Sequence, residues 1–288
     1  MKRLVAAPSF LVSNVILIRF HRTKQPNWNI RRIIFTYGPT PRTVLAQQTT
    51  CADPTREMWK QQLYQHLKKI KETKRYASDR PLTNKETDEP TYRAILETIQ
   101  VLEASNPSPN PLSSPYIQLL DGNWKLLFST AREITTLSSL PFFFQLQSVY
   151  QRIDVKTRQL ENIAQLAVAG VVKGYVRVTG NFYPISEATL PPPELQEPGL
   201  AGAARERLRR TLQSRRVNVR FQKRSLGIES ILGIPVKRFL ETIRQVNVRP
   251  LVQREPSLDI TYLDESFRIG RGGDGGIFVL EKPTSIKQ

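Results

Sequence analysis

The sequence predicts a mainly β fold, an antiparallel barrel of about eight strands preceded by an N-terminal α-helical hairpin. Apolar residues recur at helical spacing early in the chain, and farther on they alternate with polar residues, as in strands with one buried face. A Gly-rich turn followed at once by an apolar strand marks a hairpin near the end of the chain. The expected organisation is a basic segment at 1–52, the helical hairpin at 53–106, a Pro-rich linker at 107–120, the barrel at 121–282 and a tail at 283–288.

The basic segment 1–52 is expected to lie outside the fold. It carries eight Lys or Arg residues and no acidic residue, and its apolar run at 10–18 is too short to span a bilayer. No small-x-small cleavage pattern follows this run, so an organellar transit peptide is favoured over a secretory signal. A disordered basic tail and a mis-assigned start codon are the alternatives.

Two amphipathic helices are predicted in the segment 53–106. Leu63, Leu67 and Ile70 share one face of the first helix, and residues 92–102 repeat this spacing in the second. The closely spaced prolines of the linker favour an extended chain over a continued helix. The second helix is therefore expected to end before the linker.

Beyond the linker the apolar pattern changes to a period of two residues. This alternation predicts that Trp124 and Phe128 share one face of a strand, and that Ile260 and Tyr262 share one face of another. Residues 228–243 are expected to form a short helical lid or plug. A closed barrel of about eight strands has room for side chains or for one small ligand.

A basic insertion between strands is predicted at 187–215. The formal net charge is +18, but the segments 1–52 and 205–224 hold +16 of it, so the rest of the chain is almost neutral. We expect no nucleic-acid partner, because the second segment offers only Phe221 for base stacking and carries no recognised motif. Two interpretations remain open, a solvated mobile loop and a landing patch for a peripheral membrane surface with anionic lipids. This arginine patch comprises Arg205, Arg207, Arg209, Arg210, Arg215 and Arg216.

Two stretches resemble a known family. "VLEASNPSPNPLSSPYIQLLDGNWKLLFST", residues 101–130, is similar to the entry of the plastid lipid-associated proteins, also called fibrillins or plastoglobulins, in which a short helix and a Pro-rich link precede Asp-Gly-x-Trp. "LDITYLDESFRIGRGGDGGIFVLEK", residues 258–282, is similar to the closing signature of that family. The resemblance covers roughly residues 55–282, and the insertion at 187–215 lies outside it.

The resemblance implies a lipocalin-like barrel that binds a lipid or an isoprenoid, such as a prenylquinone, carotenoid or tocopherol, at thylakoids or lipid globules of a plastid. If residues 1–52 are not a transit peptide, a cyanobacterial thylakoid or the cytoplasm is the alternative location. By the lipocalin resemblance Arg268 covers the barrel floor and stacks on Trp124, whereas a solvated edge-strand arginine is the other interpretation. Trp124 itself serves either as a packed floor residue or as a ligand contact. Candidates for the floor or the ligand lining are Trp124, Phe128, Phe221, Tyr262, Phe267 and Arg268.

An enzymatic function has little support in the sequence. The only histidines are His21 and His66, and Cys51 is the only cysteine, so no nucleophile–His arrangement can be assembled in the barrel. The Gly-rich run lacks the ending of a phosphate loop, and the acidic residues match no metal loop. We expect no enzyme activity, no cofactor and no metal. The alternative function is that of a scaffold, whose helical hairpin docks an isoprenoid-pathway enzyme or a photosynthetic complex.

Overall fold

The structure is a computed structural model that describes residues 53–140, 144–185, 192–197, 199–200, 202–235, 244–247 and 256–283. The predicted transit peptide at 1–52 lies outside the described residues. The helices are α1 (Pro54–Lys74), α2 (Glu89–Ala104), α3 (Arg132–Ser138) and α4 (Gly202–Arg215). The strands are β1 (Leu82–Thr83), β2 (Gly122–Ser129), β3 (Phe144–Asp154), β4 (Gln159–Val168), β5 (Val172–Pro184), β6 (Arg216–Ile231), β7 (Ile234–Pro235), β8 (Arg244–Asn247), β9 (Ser257–Leu263), β10 (Phe267–Gly272) and β11 (Ile277–Glu281).

The fold is mainly β, as the alternating pattern predicts. Neighbouring strands follow the order β1-β2-β11-β10-β9-β6-β5-β4-β3, and a further pairing of β2 with β3 closes the path into a ring. The eight ring strands pair antiparallel, whereas β1 pairs parallel with β2 and makes the sheet mixed. Strands β7 and β8 lie off the ring and pair with β6.

Helices α1 and α2 lie where the helical spacing predicts them. The Asp53 side chain accepts a hydrogen bond from the Thr55 amide at the start of α1, and Asp88 caps α2 in the same way ahead of a proline at its first turn. The link between the two helices is part of the sheet, because β1 within it pairs with β2 at Leu82 and Thr83. The segment that connects the two helices is thus anchored to the edge of the sheet by β1 and is not a simple tight turn.

Two apolar clusters occupy the two sides of this sheet. One cluster lies inside the ring and draws side chains from β2, β3, β4, β5, β6, β9 and β11. The other cluster packs the buried faces of α1 and α2 against the outer side of β2, β9, β10 and β11. Burial of both sheet faces explains why the sequence of β11, Ile277–Glu281, is apolar at four successive positions.

Two β-bulges change the faces that strict alternation predicts. The register of β2 with β11 steps from Phe128–Val279 to Leu126–Leu280, so Leu127 is an extra residue. Phe128 therefore faces the helices, and its predicted shared face with Trp124 is wrong.

The second bulge lies at Thr261 in β9. The register with β10 steps from Tyr262–Ile269 to Ile260–Gly270, which again leaves one residue over. Tyr262 consequently packs on the helix side while Ile260 stays inside the ring. A single extra residue inverts every side chain beyond it, since the side-chain period in a strand is two.

The segment around the basic insertion is more regular than predicted. Within 192–215 the chain forms a short 3₁₀ turn at Pro193–Gln196 and then helix α4. The predicted helical lid at 228–243 is wrong for its described part, because β6 runs on to Ile231 and turns back into β7. None of the helices in the described part of the chain has the length and apolar content needed to cross a membrane.

Candidate functional site

The floor of the ring interior is built around the Trp124 indole. Trp124 is fully buried, and its Nε1 donates a hydrogen bond of 2.8 Å to the carbonyl oxygen of Leu120. The guanidinium carbon of Arg268 and the Nζ atom of Lys282 each lie 4.8 Å from the centre of the indole ring. Two cations thus contact one aromatic ring, as cation–π attraction allows. Arg268 is thus buried and stacked on Trp124, and the alternative of a solvated arginine on an edge strand is wrong.

Arg268 is a buried cation that makes no ion pair with a carboxylate among the described residues. Its Nη2 donates to Gln151 Oε1 at 2.5 Å, and Gln151 Nε2 in turn donates to Asn162 Oδ1 at 2.9 Å. Its Nε is buried without a hydrogen-bond partner. Burial lowers the pKa of Arg268 to about 9, since desolvation disfavours the charged form. The interior therefore carries one positive charge held by an aromatic face and an amide oxygen.

A small cavity of about 30 Å³ lies beside Arg268. Its volume matches about one water molecule and is far below the roughly 300 Å³ or more of typical small-molecule pockets. The cavity is lined by Leu120, Gln151, Ile153, Leu160, Phe182, Val217, Val219, Leu258, Ile260 and Arg268. The lining is thus apolar apart from one amide and one guanidinium.

The cavity lies against the shortest pairing of the ring. Among the described residues, strands β6 and β9 pair at three positions, 216–218 with 257–259, whereas β5 and β6 pair along almost their whole length. Arg216 closes this seam, because its Nε and Nη2 donate to the two carboxylate oxygens of Asp259 at 2.5 and 2.9 Å. Its Nη1 donates to Glu194 at 2.8 Å. We call this arrangement the Arg216–Asp259 clasp.

The structure divides the predicted floor and lining residues between the two apolar clusters. Trp124 and Phe221 belong to the interior cluster, and Arg268 lines the cavity there. Phe128, Tyr262 and Phe267 instead belong to the cluster under α1 and α2. The prediction that these three aromatic residues line the ring interior is therefore wrong. The two bulges turn Phe128 and Tyr262 outward. Phe267 faces outward because the next residue, Arg268, faces inward and successive side chains alternate.

The arginine patch is likewise divided. Arg205, Arg207, Arg209 and Arg210 are exposed on α4 and are called the α4 arginines below. Within them, Arg209 and Arg210 lie 3.8 and 3.0 Å from the carboxylate of Glu206. Arg215 is half-buried near Asp259, and Arg216 is 7% exposed in the clasp. Arg216 therefore stabilises the seam and is not available as part of an exposed patch.

The sequence pattern did not indicate two further residues of this site, Gln151, which lines the cavity, and Lys282, which contacts the floor indole. Gln151 lies in β3 among residues of mixed polarity, and its inward face follows only from the pairing of β3 with β2 and β4. Lys282 follows β11 directly, and its Nζ donates to the carbonyl oxygen of Leu119 at 2.8 Å. The local signals that pointed to this floor were the Asp-Gly-x-Trp at the start of β2 and the alternation of apolar and polar residues after it.

Polar contacts join the helices to the outer face of the sheet. Lys60 of α1 lies 2.5 Å from the carboxylate of Asp264, which also accepts a hydrogen bond of 2.7 Å from the Tyr262 hydroxyl. Glu103 of α2 accepts two hydrogen bonds from Arg271 at 2.7 and 2.8 Å. These polar contacts lie around the apolar cluster through which α1 and α2 pack on the sheet, so they hold both helices in place.

Comparison with known proteins finds a family match over most of the chain. The family model PAP_fibrillin matches residues 65–190 and 207–281. The plastid lipid-associated protein 3, chloroplastic, of Brassica campestris is 30% identical over 207 residues, 66% of this chain and 54% of that protein. Plastoglobulin-1, chloroplastic, of Pisum sativum is 30% identical over 214 residues, 66% of this chain and 54% of that protein. The chain thus spans about half the length of these two relatives.

A third relative points to the same organelle. The chromoplast-specific carotenoid-associated protein of Cucumis sativus is 27% identical over 245 residues, 76% of this chain and 68% of that protein. No solved structure gives a significant match. All three relatives are named as chloroplast or chromoplast proteins, and this common location assigns the chain to the plastid. Because the family model covers well over half of the chain, the protein belongs to the PAP_fibrillin family of plastid lipid-associated proteins.

Proposed function

We propose that this protein binds one hydrophobic small molecule inside the ring, at photosynthetic membranes or lipid globules of the plastid, without catalysis. Family membership gives it a lipid-associated role in plastids. The proposal adds that the ring is a lipocalin-like barrel preceded by a helical hairpin, with residues 121–282 as the binding unit. A lipid, prenylquinone, carotenoid or tocopherol is the class of ligand that an apolar interior favours.

The observation that carries this proposal is the composition of the cavity lining. Eight of the ten lining residues are apolar, and Arg268 and Gln151 supply a donor and an amide beside them. Such a lining suits an apolar body with one polar oxygen, for example a quinone carbonyl or a chromanol hydroxyl. Burial of apolar ligand surface contributes about 25 cal/mol per Å², whereas the two polar groups orient the ring end.

A prenyl ligand requires the interior to open, because about 30 Å³ holds no ring or tail. The seam between β6 and β9 is the proposed entry, since Val217 and Val219 line the cavity on one side of it and Leu258 and Ile260 on the other. In the described part of the chain, three residue pairs, the hydrogen bond from the Val219 amide to Pro256 and the Arg216–Asp259 clasp hold this seam. Opening it therefore breaks fewer ladder hydrogen bonds than opening the long pairings of β3, β4 and β5.

A disulfide across the seam tests this proposal. Asn218 and Ser257 are paired residues of the antiparallel ladder, next to the hydrogen-bonded step at which the Val219 amide donates to Pro256. They form the closer, non-hydrogen-bonded kind of pair, in which a disulfide fits. The full chain with Asn218→Cys, Ser257→Cys and Cys51→Ser would be titrated with α-tocopherol and a short-chain prenylquinone, oxidised and reduced, with each single-Cys variant as control.

We expect the reduced double variant to bind like the parent and the oxidised form to lose binding at least tenfold, with recovery on reduction. Equal binding by the oxidised and reduced forms would place the ligand outside this route and reject entry through the seam. Failure of the parent to bind either compound would reject the interior site. The scaffold alternative has less support, because α1 and α2 bury their apolar faces against the sheet.

A further inference from the structure

Exposed aliphatic side chains gather at one end of the ring. Among the described residues, six large apolar side chains are exposed, and four of them lie on two adjoining turns. The exposed fractions are 43% for Val171, 39% for Ile231, 72% for Leu232 and 69% for Ile234. Val171 belongs to the turn between β4 and β5, and the other three belong to the turn between β6 and β7. We call these four residues the aliphatic tip.

The backbone of the aliphatic tip is hydrogen-bonded within the protein. The Leu232 amide donates to the Val171 carbonyl at 2.6 Å, and the Val171 amide donates to the Val168 carbonyl at 3.1 Å. Ile231 pairs with Val172 on one side and with Ile234 on the other. A tip whose amides are already paired can leave water without the cost that unsatisfied backbone groups incur in a lipid phase.

The fold does not require a leucine at the end of this turn. Leu232 and Gly233 have φ angles of 53° and 79°, the two-residue hairpin geometry in which Asn-Gly is the favoured pair. A leucine is disfavoured at positive φ, and here it also exposes most of its side chain to water. Folding alone thus gives no reason for the apolar side chain.

We propose that the aliphatic tip inserts into the boundary between headgroups and acyl chains of a plastid lipid surface. The four exposed side chains of the tip are purely aliphatic, so they offer no hydrogen-bonding group to a protein partner, and the protein belongs to a lipid-associated family. Of the described residues beside it, Lys173 and Glu229 are exposed with opposite charges, so these neighbours give the tip no preference for anionic lipid. This inference rests on the lipid-associated part of the proposed function and is independent of the interior site.

The aliphatic tip and the α4 arginines predict different kinds of attachment. Helix α4 ends where β6 begins, at Arg216, and the tip starts where β6 ends, at Ile231. Strand β6 has 16 residues, so its two ends lie roughly 50 Å apart along the strand. Attachment through the tip is hydrophobic and insensitive to salt, whereas attachment through α4 requires anionic lipid and weakens as salt screens it.

Flotation of the full chain with uncharged vesicles of phosphatidylcholine and digalactosyldiacylglycerol tests the inference. The tip variant carries Leu232→Asn and Ile234→Thr, which keep turn and strand propensities while they remove apolar surface. The matched control carries Met58→Asp and Val101→Asp, the two exposed apolar residues of the described chain that lie on helices. Each protein would be floated at about 0.05 M and about 0.5 M NaCl, and α-tocopherol binding would be measured in parallel.

We expect the parent and the control to float equally at both salt concentrations, and the tip variant to lose vesicle binding at least tenfold with its melting temperature unchanged or raised. Equal flotation of tip variant and parent would overturn the inference. Failure of the parent to float on these uncharged vesicles at either salt concentration would also overturn it. If the parent floats but does not bind tocopherol, this result would count against the interior site and would leave the inference about the tip standing.

Discussion

At the residue scale, the interior of this protein depends on how a single indole is surrounded. Trp124 is fully buried, donates its N–H to Leu120 and contacts the cations of Arg268 and Lys282. Arg268 is costly to bury, since its charge faces an aromatic ring and an amide rather than a carboxylate. Removing the indole therefore removes both packing and the π face that stabilises two charges.

Replacing Trp124 by alanine should lower the free energy of unfolding by about 3–5 kcal/mol, through lost burial and the cavity left behind. Chemical denaturation of the parent and the variant measures this difference. Val101→Ala on the exposed side of α2 serves as control and should change it by less than about 0.5 kcal/mol. A Trp124→Ala variant as stable as the parent would contradict the role of the indole as the packed floor.

At the element scale, buried polar contacts decide how the helices attach to the sheet. Asp264 in the turn between β9 and β10 accepts hydrogen bonds from Tyr262 and from the Ser266 and Phe267 amides, and it lies 2.5 Å from Lys60. Burial by itself raises the pKa of Asp264, but the Lys60 and Tyr262 contacts outweigh it and hold this pKa below its usual value. The carboxylate thus joins α1 to the sheet in its ionised form.

Replacing Asp264 by asparagine should cost about 1–3 kcal/mol at pH 7, because the buried Lys60 ammonium loses this partner and keeps Glu57, an exposed carboxylate 2.6 Å away. The folded-state pKa of Asp264 is depressed, so its contribution is full above the unfolded value of about 3.9 and is lost as pH falls through the folded value. Urea denaturation at pH 7 and near pH 3 should therefore show that the parent and the variant differ less in free energy of unfolding in acid.

The control is Glu89→Gln, which breaks an exposed pair with Arg93 and should cost less than about 1 kcal/mol at pH 7. A constant difference across this range would exclude Asp264 ionisation as the cause.

The exposed side of α4 is a second case at this scale. Replacing Arg205, Arg207, Arg209 and Arg210 by glutamine should reduce flotation on vesicles that contain phosphatidylglycerol, because each basic side chain near an anionic surface contributes about 1 kcal/mol. The effect should disappear at high salt. Four exposed basic residues form the matched set for a control variant: Lys68, Lys69 and Lys74 on α1 and Arg75 at its C-terminal cap. If both variants lose flotation equally, general charge rather than α4 is responsible.

At the scale of the whole molecule, the closed path of strands separates three regions with different chemistry. The interior is apolar around one cation, the outer face of four strands is covered by α1 and α2, and the two ends of β6 carry the α4 arginines and the aliphatic tip. A lipid surface can therefore meet the end of the ring that carries the aliphatic tip without disturbing the seam at 216–218. Attachment and ligand uptake are separable in this arrangement.

Delivery to the plastid is a prediction for the whole chain. A fluorescent fusion of residues 1–52 should enter plastids, whereas the chain starting at Asp53 should remain outside them. The shortened chain should keep the melting temperature of the full protein, because the described residues from Asp53 onward contain both apolar clusters. Unfolding of the shortened chain would assign the segment to the domain and count against the targeting role.

The sequence by itself determined the helices, most of the strands and the family of this protein. Helical and alternating periods are local properties of the chain, and the closing signature near its end is long enough to identify relatives. The placement of Trp124 inside the ring followed from the same signals. The sequence also predicted a basic segment at 205–216, although not the division of its arginines.

Only the tertiary structure decided which side of the sheet several residues occupy. The bulges at Leu127 and Thr261 arise from pairing with β11 and β10, so no period within β2 or β9 reveals that Phe128 and Tyr262 turn outward. Arg216 reads as one more basic residue until β9 brings Asp259 beside it. The aliphatic tip likewise exists because two turns more than 50 residues apart meet at one end of the ring. Such features depend on contacts between distant segments, and local patterns carry no information about those contacts.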